Sequence, residues 1–330
     1  MELFRNVNVD WLGKKWYFLA FSLIFSIAGI VSMAWHWHQI GSPVPLGVDF
    51  RGGTQLQVQF DQAPDINRIR QATVAAGIRD ASIVNYDAPA RQEVLISLPE
   101  QTNESSLDTG RQQIQDALHT QYGDSFHVRN VQVVGPTVGR QLEKQAALAT
   151  LYSLIGMLIY LWFRFQLIYG VAAVVACFHD TLITVGFFAL TDQEISLTVI
   201  AAILTLVGYS MNDTIVVFDR IRENIKLLRK DSLTEIVNKS INQTLSRTVL
   251  TSGLTFLTVL ALFLFGGEVL HGFSLALVIG IIIGTYSSIF IAAPMLVAYQ
   301  QWRGKSTVPG GASSSSSNGQ GRRYKAPAKA

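Results

Sequence analysis

The chain has 330 residues, of which 49% are hydrophobic and only 15% are charged, against roughly 25% charged residues in an ordinary soluble domain. The net charge of +3 at pH 7 forms no separate basic patch, so the composition argues against a nucleic-acid partner. The single cysteine, Cys177, lies in an apolar run, and the polar parts of the chain therefore have no disulfide. We predict a polytopic α-helical membrane protein.

Six apolar runs have about the 20 residues that a helix needs to cross a bilayer. They cover residues 16–35, 146–163, 167–190, 195–218, 248–265 and 270–298. No Ala-x-Ala-like cleavage site follows the first run, so we interpret it as a retained membrane anchor and not as a signal peptide. About a hundred polar residues separate the first run from the second, which is enough for one separate domain.

Lysine and arginine set the predicted orientation in the membrane. They concentrate in the connections on one side, whereas the short loops 191–194 and 266–271 on the other side carry none. We predict that the chain lies in the inner (cytoplasmic) membrane. By the positive-inside rule, both termini face the cytoplasm and the large domain faces the periplasm. The predicted parts are a cytoplasmic N-terminus (1–15), transmembrane helix 1 (16–35), a periplasmic domain with a hinge (36–140), transmembrane helices 2–6 with a cytoplasmic loop near 220–246 (141–302), and a disordered cytoplasmic tail (303–330).

Between the first two runs, the sequence pattern reads strand, helix, strand, strand, helix, strand. That order is typical of ferredoxin-like α+β domains, in which an antiparallel sheet carries both helices on one face. A turn with two adjacent glycines and an acid–base pair precedes the first strand; its residues are Asp49, Arg51, Gly52 and Gly53. No metal site or catalytic constellation is predicted in this domain, because its histidines are isolated and no cysteine accompanies them.

A second break follows the last predicted strand, at Gly135, Pro136 and Gly139. Glycine and proline redirect the chain, so these residues are a candidate hinge between the domain and the second transmembrane helix. Between the fourth and fifth runs, Ser232 and Glu235 have the spacing of a capping box. They predict another helix, which lies along the membrane surface or against the bundle.

One acidic residue, Asp213, falls inside the fourth apolar run, where a charged side chain needs water or a partner. On a helix it shares a face with Tyr209 and Ser210 one turn away, and with Arg220 two turns away. Two interpretations remain open. Asp213 is either an ionisable site that works within the membrane or a protonated acid that only hydrogen-bonds a neighbouring helix.

Other polar residues in the apolar runs form a candidate pathway. Asp180 lies near the middle of the third run, where it either fixes one helix against another or takes a direct role. In the fifth run, Arg247 falls on one face with a line of hydroxyls, which either hydrate a path into the membrane or bond only their own backbone. The candidate pathway residues are Asp180, Tyr209, Thr251, Thr255 and Thr258.

Four segments closely resemble the SecF family, a part of the bacterial Sec protein translocase within the resistance-nodulation-division superfamily. They are residues 47–54, 134–142, 207–224 and 242–248, and the resemblance extends over nearly the whole chain to Trp302. It implies a partnership with SecD and with the SecYEG channel, a translocating preprotein as cargo, and use of the proton-motive force in late steps of export. It implies protons as the coupling ion, no cofactor, and no covalent chemistry.

The resemblance also implies a proton-conducting role for the acid of the Asn-Asp-Thr motif, Asp213, and for the arginine of the Ser-Arg-Thr motif, Arg247. Burial favours the neutral carboxyl group, and a nearby guanidinium favours the charged one. Since arginine stays protonated, we expect Asp213 to be the member of the pair that titrates.

Three alternatives remain open from the sequence. Two acids on neighbouring transmembrane helices also suggest an intramembrane aspartyl protease, although the local Phe-His-Asp and Met-Asn-Asp sequences do not match that class. A small-solute exporter of the same superfamily usually has twelve transmembrane helices and two large outward domains, and this chain resembles half of that plan. A purely structural subunit is the third alternative.

Overall fold

The computed structural model describes residues 8–78, 81–85, 92–98, 104–164, 167–267 and 270–302. In this part of the chain, six helices are long and apolar enough to cross a membrane, which confirms the predicted number. They are α1 (Lys15–Ile40), α5 (Pro136–Arg164), α6 (Leu167–Leu190), α7 (Leu197–Leu227), α8 (Leu233–Phe265), and a sixth formed by α9 (His271–Ser287), a π-helical turn (Ser288–Ala292) and α10 (Ala293–Trp302).

Several of these helices are longer than the apolar runs that predict them. The helix after the capping box of Ser232 and Glu235 is continuous with the fifth span, so the two form the single helix α8. Its polar first half packs against the bundle through the buried residues Val237 and Ile241. The π-helical turn precedes Pro294, which cannot donate the hydrogen bond of a regular helix, and the looser turn relieves the clash of its ring with the preceding carbonyl groups.

Between α1 and α5 lies a four-stranded antiparallel sheet with the strand order β2-β3-β1-β4. The elements are α2 (Val48–Arg51), β1 (Gly53–Phe60), α3 (Ile66–Ala75), β2 (Ser82–Asn85), β3 (Glu93–Leu98), α4 (Glu104–Tyr122) and β4 (Phe126–Val134). Leu56 and Val58 of β1, Ile69 of α3 and Ile114 of α4 are fully buried together, so both longer helices pack on the sheet and give it a core of its own.

The helices define two ends of the bundle. The end at which α1 finishes and α5 begins lies next to the sheet, and the loop 191–196 between α6 and α7 belongs to it. We call it the sheet end. The loop 228–232 between α7 and α8 lies at the other end, which we call the far end. There the chain before α1 is held by α8, since Asn238 and Asn242 hydrogen-bond the backbone of Val9 and Trp11.

Candidate functional site within the helix bundle

Asp213 lies in the middle of α7 and is only 2% exposed. Its Oδ2 atom accepts a hydrogen bond of 2.5 Å from the hydroxyl group of Ser252 on α8. A buried carboxyl group in a membrane span is costly unless a partner holds it, and Ser252 is the partner that the structure provides. The contact joins α7 to α8 at the position that the sequence marks as the ionisable site.

Arg247 lies on the same helix as Ser252 but at an exposed position. It is near enough to act on Asp213 electrostatically, yet the described residues contain no ion pair between the two. Arg247 precedes Ser252 by more than one helical turn, about 7.5 Å at 1.5 Å per residue. In this structure, therefore, a neutral hydroxyl group holds the acid, and the guanidinium lies at the edge of the site.

The three threonines of the candidate pathway lie on the outer side of α8. Thr251 and Thr258 are exposed and Thr255 is half-buried. The hydroxyl group of each donates to a carbonyl oxygen one turn earlier on the same helix, at 2.9–3.0 Å. This is the backbone bonding that the sequence left open as an alternative, and their part in a path stays a prediction.

A different row of hydroxyl groups on α8 faces the bundle. Its members are spaced four residues apart, so they share one face, and all four are buried: Ser240, Thr244, Thr248 and Ser252. At the far end, Asn224 of α7 donates to the Ser240 hydroxyl at 2.8 Å. We call these five residues the buried hydroxyl row. Sequence reasoning missed it, although its four-residue spacing was visible in the sequence.

Two buried hydroxyl groups beside Asp213 lack a hydrogen-bond partner within the described part of the protein. They belong to Tyr209 and Thr248. Tyr209 is one turn from Asp213 on α7, and Thr248 is one turn from Ser252 on α8. Since buried hydroxyl groups are normally hydrogen-bonded, each of these two hydroxyl groups can still bind a water molecule.

Asp180 is held by a separate cluster that joins four helices. Its Oδ2 atom accepts hydrogen bonds from Ser210 of α7 at 2.5 Å and Ser287 of α9 at 2.7 Å. Its Oδ1 atom lies 3.0 Å from His179 Nδ1, and the other nitrogen of that imidazole contacts the hydroxyl group of Ser22 on α1. We call these five residues the Asp180 cluster.

The Asp180 cluster fits neither an aspartyl protease nor a serine protease. An aspartyl protease needs two carboxyl groups that share a proton, whereas Asp180 and Asp213 are held by different serines. The order Ser22, His179, Asp180 has the connectivity of a charge-relay triad. Ser22, however, is only 4% exposed and closed in between α1 and α6, so a peptide bond has no access to its hydroxyl group.

The two glycine-rich segments of the sequence lie together at the sheet end. Asp49 of α2 accepts hydrogen bonds from Leu197 N at the start of α7 and from the Gln132 side chain of β4. Gly52 packs against Pro136, and Gly139 packs against the backbone of Phe50. The candidate hinge therefore packs directly against the glycine turn. Strand β1 begins at Gly53, the last residue of that turn.

The acidic residue Glu194 lies in the loop before α7, next to the same contact. Burial raises the pKa of the Glu194 carboxyl group. The nearby Arg51 guanidinium opposes that shift, and the charge of Asp49 adds to it. Glu194 and Arg51 therefore interact across the boundary between the glycine turn and the helix bundle.

Comparison with known proteins identifies the family of the chain. Residues 113–302 match the family model described as the C-terminal part of the protein export membrane protein SecD/SecF, and residues 40–64 match the SecD/SecF GG motif. A relative from Koribacter versatilis, named protein translocase subunit SecF, is 54% identical, with 92% of this chain and 95% of the relative covered. A second relative with the same name, from Calditerrivibrio nitroreducens, is 45% identical, with 92% of this chain and 98% of the relative covered.

Two solved structures have the same fold over most of the chain. The crystal structure of SecDF from Thermus, a translocon-associated membrane protein, matches 90% of this chain with a TM-score of 0.78 and 37% identity. SecDF in a super-membrane-facing form matches 91% of the chain with a TM-score of 0.64 and 36% identity. The chain spans about two fifths of the length of SecDF, 39% and 40% respectively. The chain belongs to the SecD/SecF family of protein-export membrane proteins, in which its SecF relatives are translocase subunits and not enzymes.

Proposed function

We propose that this protein export subunit works with SecD and uses the proton-motive force, with Asp213 as the residue that binds and releases the proton. The observation that carries the proposal is the Asp213 carboxyl group itself. It is buried in the middle of a transmembrane helix and held by one hydroxyl group, with a permanent cation nearby. Burial and the cation favour opposite charge states of the acid, and a small movement between α7 and α8 is then enough to change its protonation.

Arg247 controls the exchange. When α8 moves so that the guanidinium reaches Asp213, the charged carboxylate is stabilised and the proton leaves. When the guanidinium withdraws, the carboxyl group takes up a proton and returns to Ser252. The hydrogen bond from Ser252 to the acid and the exposed position of Arg247 support the second arrangement. Each charge moved through the full potential supplies about 2.3 kcal/mol per 100 mV.

The buried hydroxyl row provides the path between Asp213 and the far end. It extends for about 18 Å along α8, from Ser240 to Ser252 at 1.5 Å per residue, and it meets Asn224 of α7 at the far end. Hydroxyl groups both donate and accept, so together with water they form a chain along which a proton moves. Protons are the coupling ion in this proposal, and no other cofactor takes part.

The sheet between α1 and α5 is proposed to be a ferredoxin-like periplasmic domain. The strand order β2-β3-β1-β4 and the two helices packed on the sheet support the fold. The cations at the far end, among them Arg222, Arg229 and Lys230, support a cytoplasmic position for that end. The protein would then lie in the inner membrane beside SecD and the SecYEG channel, and the periplasmic domain would act on the emerging preprotein.

The proposed orientation predicts which added cysteines react from outside the cell. Cysteines placed at Gln92 or Gln121 are expected to react with a membrane-impermeant maleimide in cells with a permeable outer membrane, and one at Lys230 only after lysis. The measurement is labelling in a Cys177→Ala chain, which removes the one native thiol. Labelling of Lys230→Cys from outside, with protection of the two sheet positions, would overturn the charge argument.

The path predicts that two threonines on one helix differ in effect. Thr248→Val is expected to lower proton-stimulated export several-fold at unchanged stability, because the buried Thr248 hydroxyl has no hydrogen-bond partner among the described residues and valine keeps the shape of the side chain. Thr251→Val is the matched control, since that hydroxyl only bonds its own backbone on the exposed side. The measurement is precursor export into vesicles with and without a proton gradient. If the proton gradient stimulated export equally in both variants and in the unaltered chain, the buried hydroxyl row would be excluded as the proton path.

A further inference from the structure

The segment between α1 and β1 connects the sheet to the helix bundle by contacts on both of its sides. We call residues 45–53 the joint segment. On the bundle side, Ile195 N donates to Pro45 O at 2.8 Å and Gly47 N donates to Ile195 O at 3.0 Å. These two bonds frame a parallel bridge between Leu46 and Ile195. The joint segment is thus bonded to the loop that leads into α7.

An apolar side chain strengthens the same attachment. Phe50 of α2 is only 4% exposed and packs into a cluster with Phe188 of α6, Ile195 of the loop and Val199 of α7. A separate cluster forms the core of the sheet. Phe50 therefore belongs to the packing of the bundle, although it lies only three residues before the first strand of the sheet.

On the other side, the joint segment is pressed against the start of α5 at distances that only glycine permits. A Cβ atom on Gly139 would lie 2.7 Å from Phe50 O, and one on Gly52 would lie 2.9 Å from the Cα atom of Pro136. Gly52 also has a positive φ of 75°, which favours glycine. If α5 bent away from the joint segment, these close contacts would be lost.

One carboxylate connects the two bodies directly. Asp49 Oδ2 accepts a hydrogen bond of 2.8 Å from Leu197 N, in the first turn of α7, and so caps that helix. Asp49 Oδ1 accepts a bond of 2.6 Å from Gln132 Nε2 on β4. Arg51, two residues further, interacts with Glu194 in the loop before α7. The acid of the glycine turn thus contacts both bodies, and its base acts electrostatically on the loop before α7.

We propose that the joint segment makes the sheet domain and α7 move as one rigid body, with Asp49 as the positioning residue that connects them. α7 also carries Asp213, so a displacement of α7 at the proton site would reach the sheet through this contact. That consequence rests on the proposed function, whereas the rigid connection does not. The proposal gives the glycine turn a mechanical role and makes its acid a helix cap.

Two readouts on the full chain in lipid nanodiscs test the connection without protons or partners. The first is hydrogen exchange of the Leu197 amide, and the second is the distribution of distances between spin labels at Gln121 and Thr191 in a Cys177→Ala chain. Asp49→Ala is expected to speed Leu197 exchange about five- to tenfold, as for loss of a helix cap, and to broaden the distance distribution. Gln132→Ala removes only the sheet contact, so it is expected to broaden the distances and leave Leu197 exchange unchanged.

Asp124→Ala is the matched control, because Asp124 is a fully exposed acid of the same sheet domain, and it is expected to change neither readout. Slow exchange of the Leu56 and Val58 amides in each variant shows that the sheet is intact. If Asp49→Ala disturbs those amides, the question is decided by Gln132→Ala and by Asp49→Leu, which keeps roughly the size of the side chain but has no acceptor oxygen for the Leu197 amide. Unchanged Leu197 exchange and an unchanged distance distribution in the folded Asp49 variants would overturn the proposal. Normal gradient-driven export in Asp213→Asn would instead overturn the proton role and leave the rigid connection standing.

Discussion

Asp213→Asn is expected to reduce gradient-driven export to the level measured without a proton gradient, while the subunit still assembles with its partner. Asparagine keeps the shape of the side chain and can accept the hydrogen bond from Ser252, which fixes the acid in the structure at 2.5 Å. It cannot bind and release a proton at any physiological pH. The packing of α7 against α8 should therefore persist while the coupling step is lost.

The measurement is precursor export into vesicles at equal subunit levels, with and without a proton gradient. Asp219→Asn is the matched control, since Asp219 lies on the same helix but is exposed, 3.4 Å from Arg164. Export in that variant is expected to keep its full stimulation by the gradient. Arg247→Lys is expected to retain only part of it, because a compact ammonium group lacks the planar fork of arginine. Full stimulation in Asp213→Asn would contradict the proposed role of this acid.

Asp180→Ala is expected to have the largest effect on folding. The substitution removes the acceptor of Ser210 and Ser287 and the partner of His179, all within the bundle. Each buried polar group left without its partner costs about 1–3 kcal/mol, and this substitution affects three of them. Since α1, α6, α7 and α9 meet in the Asp180 cluster, the loss should loosen the bundle as a whole.

Thermal unfolding in nanodiscs and the yield of folded chain measure this effect. Asp192→Ala is the control, because Asp192 is an exposed acid in the loop after α6 whose contact is with His36. A chain with Asp180→Ala that melts at the same temperature as the control would show that the Asp180 cluster does not stabilise the bundle. A stable chain with Asp180→Asn that has lost gradient-driven export would instead assign a proton to Asp180.

The sequence identifies Asp213 as a candidate site because one charged residue inside a long apolar run is a strong signal. It also predicts Arg247 as the electrostatic neighbour of Asp213, and in the structure the guanidinium acts on the acid electrostatically, with no ion pair between the two among the described residues. Ser252 is the contact that the sequence does not reveal. Serine and threonine in membrane helices usually bond their own backbone, so their composition does not indicate which one reaches across to another helix.

The two rows of hydroxyl groups on α8 show why the face of a helix is difficult to predict. The predicted row continues from Arg247, and the buried row is offset from it by one residue, which turns the face by about 100°. Both rows have nearly the same spacing. Packing of Val237, Ile241 and the buried hydroxyl groups against α7 and α9 decides which face turns inward, and those contacts are between residues distant in sequence.

Helix lengths differ from the apolar runs for a physical reason. Hydropathy reports the part of a helix that lies in the apolar layer, whereas the backbone remains helical beyond it when a cap or packing supports the polar turns. Accordingly, α5 begins at Pro136, directly after β4, and α8 begins at the capping box of Ser232. The joint segment could not be predicted either, because Asp49 and Leu197 are 148 residues apart.

The most direct test of the central claim is infrared difference spectroscopy of the chain in nanodiscs, recorded as the pH is changed, because protonated and ionised carboxyl groups absorb at different frequencies. We expect a band of a buried protonated carboxyl group that appears and disappears with pH and is missing in Asp213→Asn. We also expect the pH at which this band changes to be different in Arg247→Gln, since the cation that favours the ionised acid is then absent. A pH-dependent spectrum that is identical in Asp213→Asn and in the unaltered chain would contradict the claim that Asp213 binds and releases the proton.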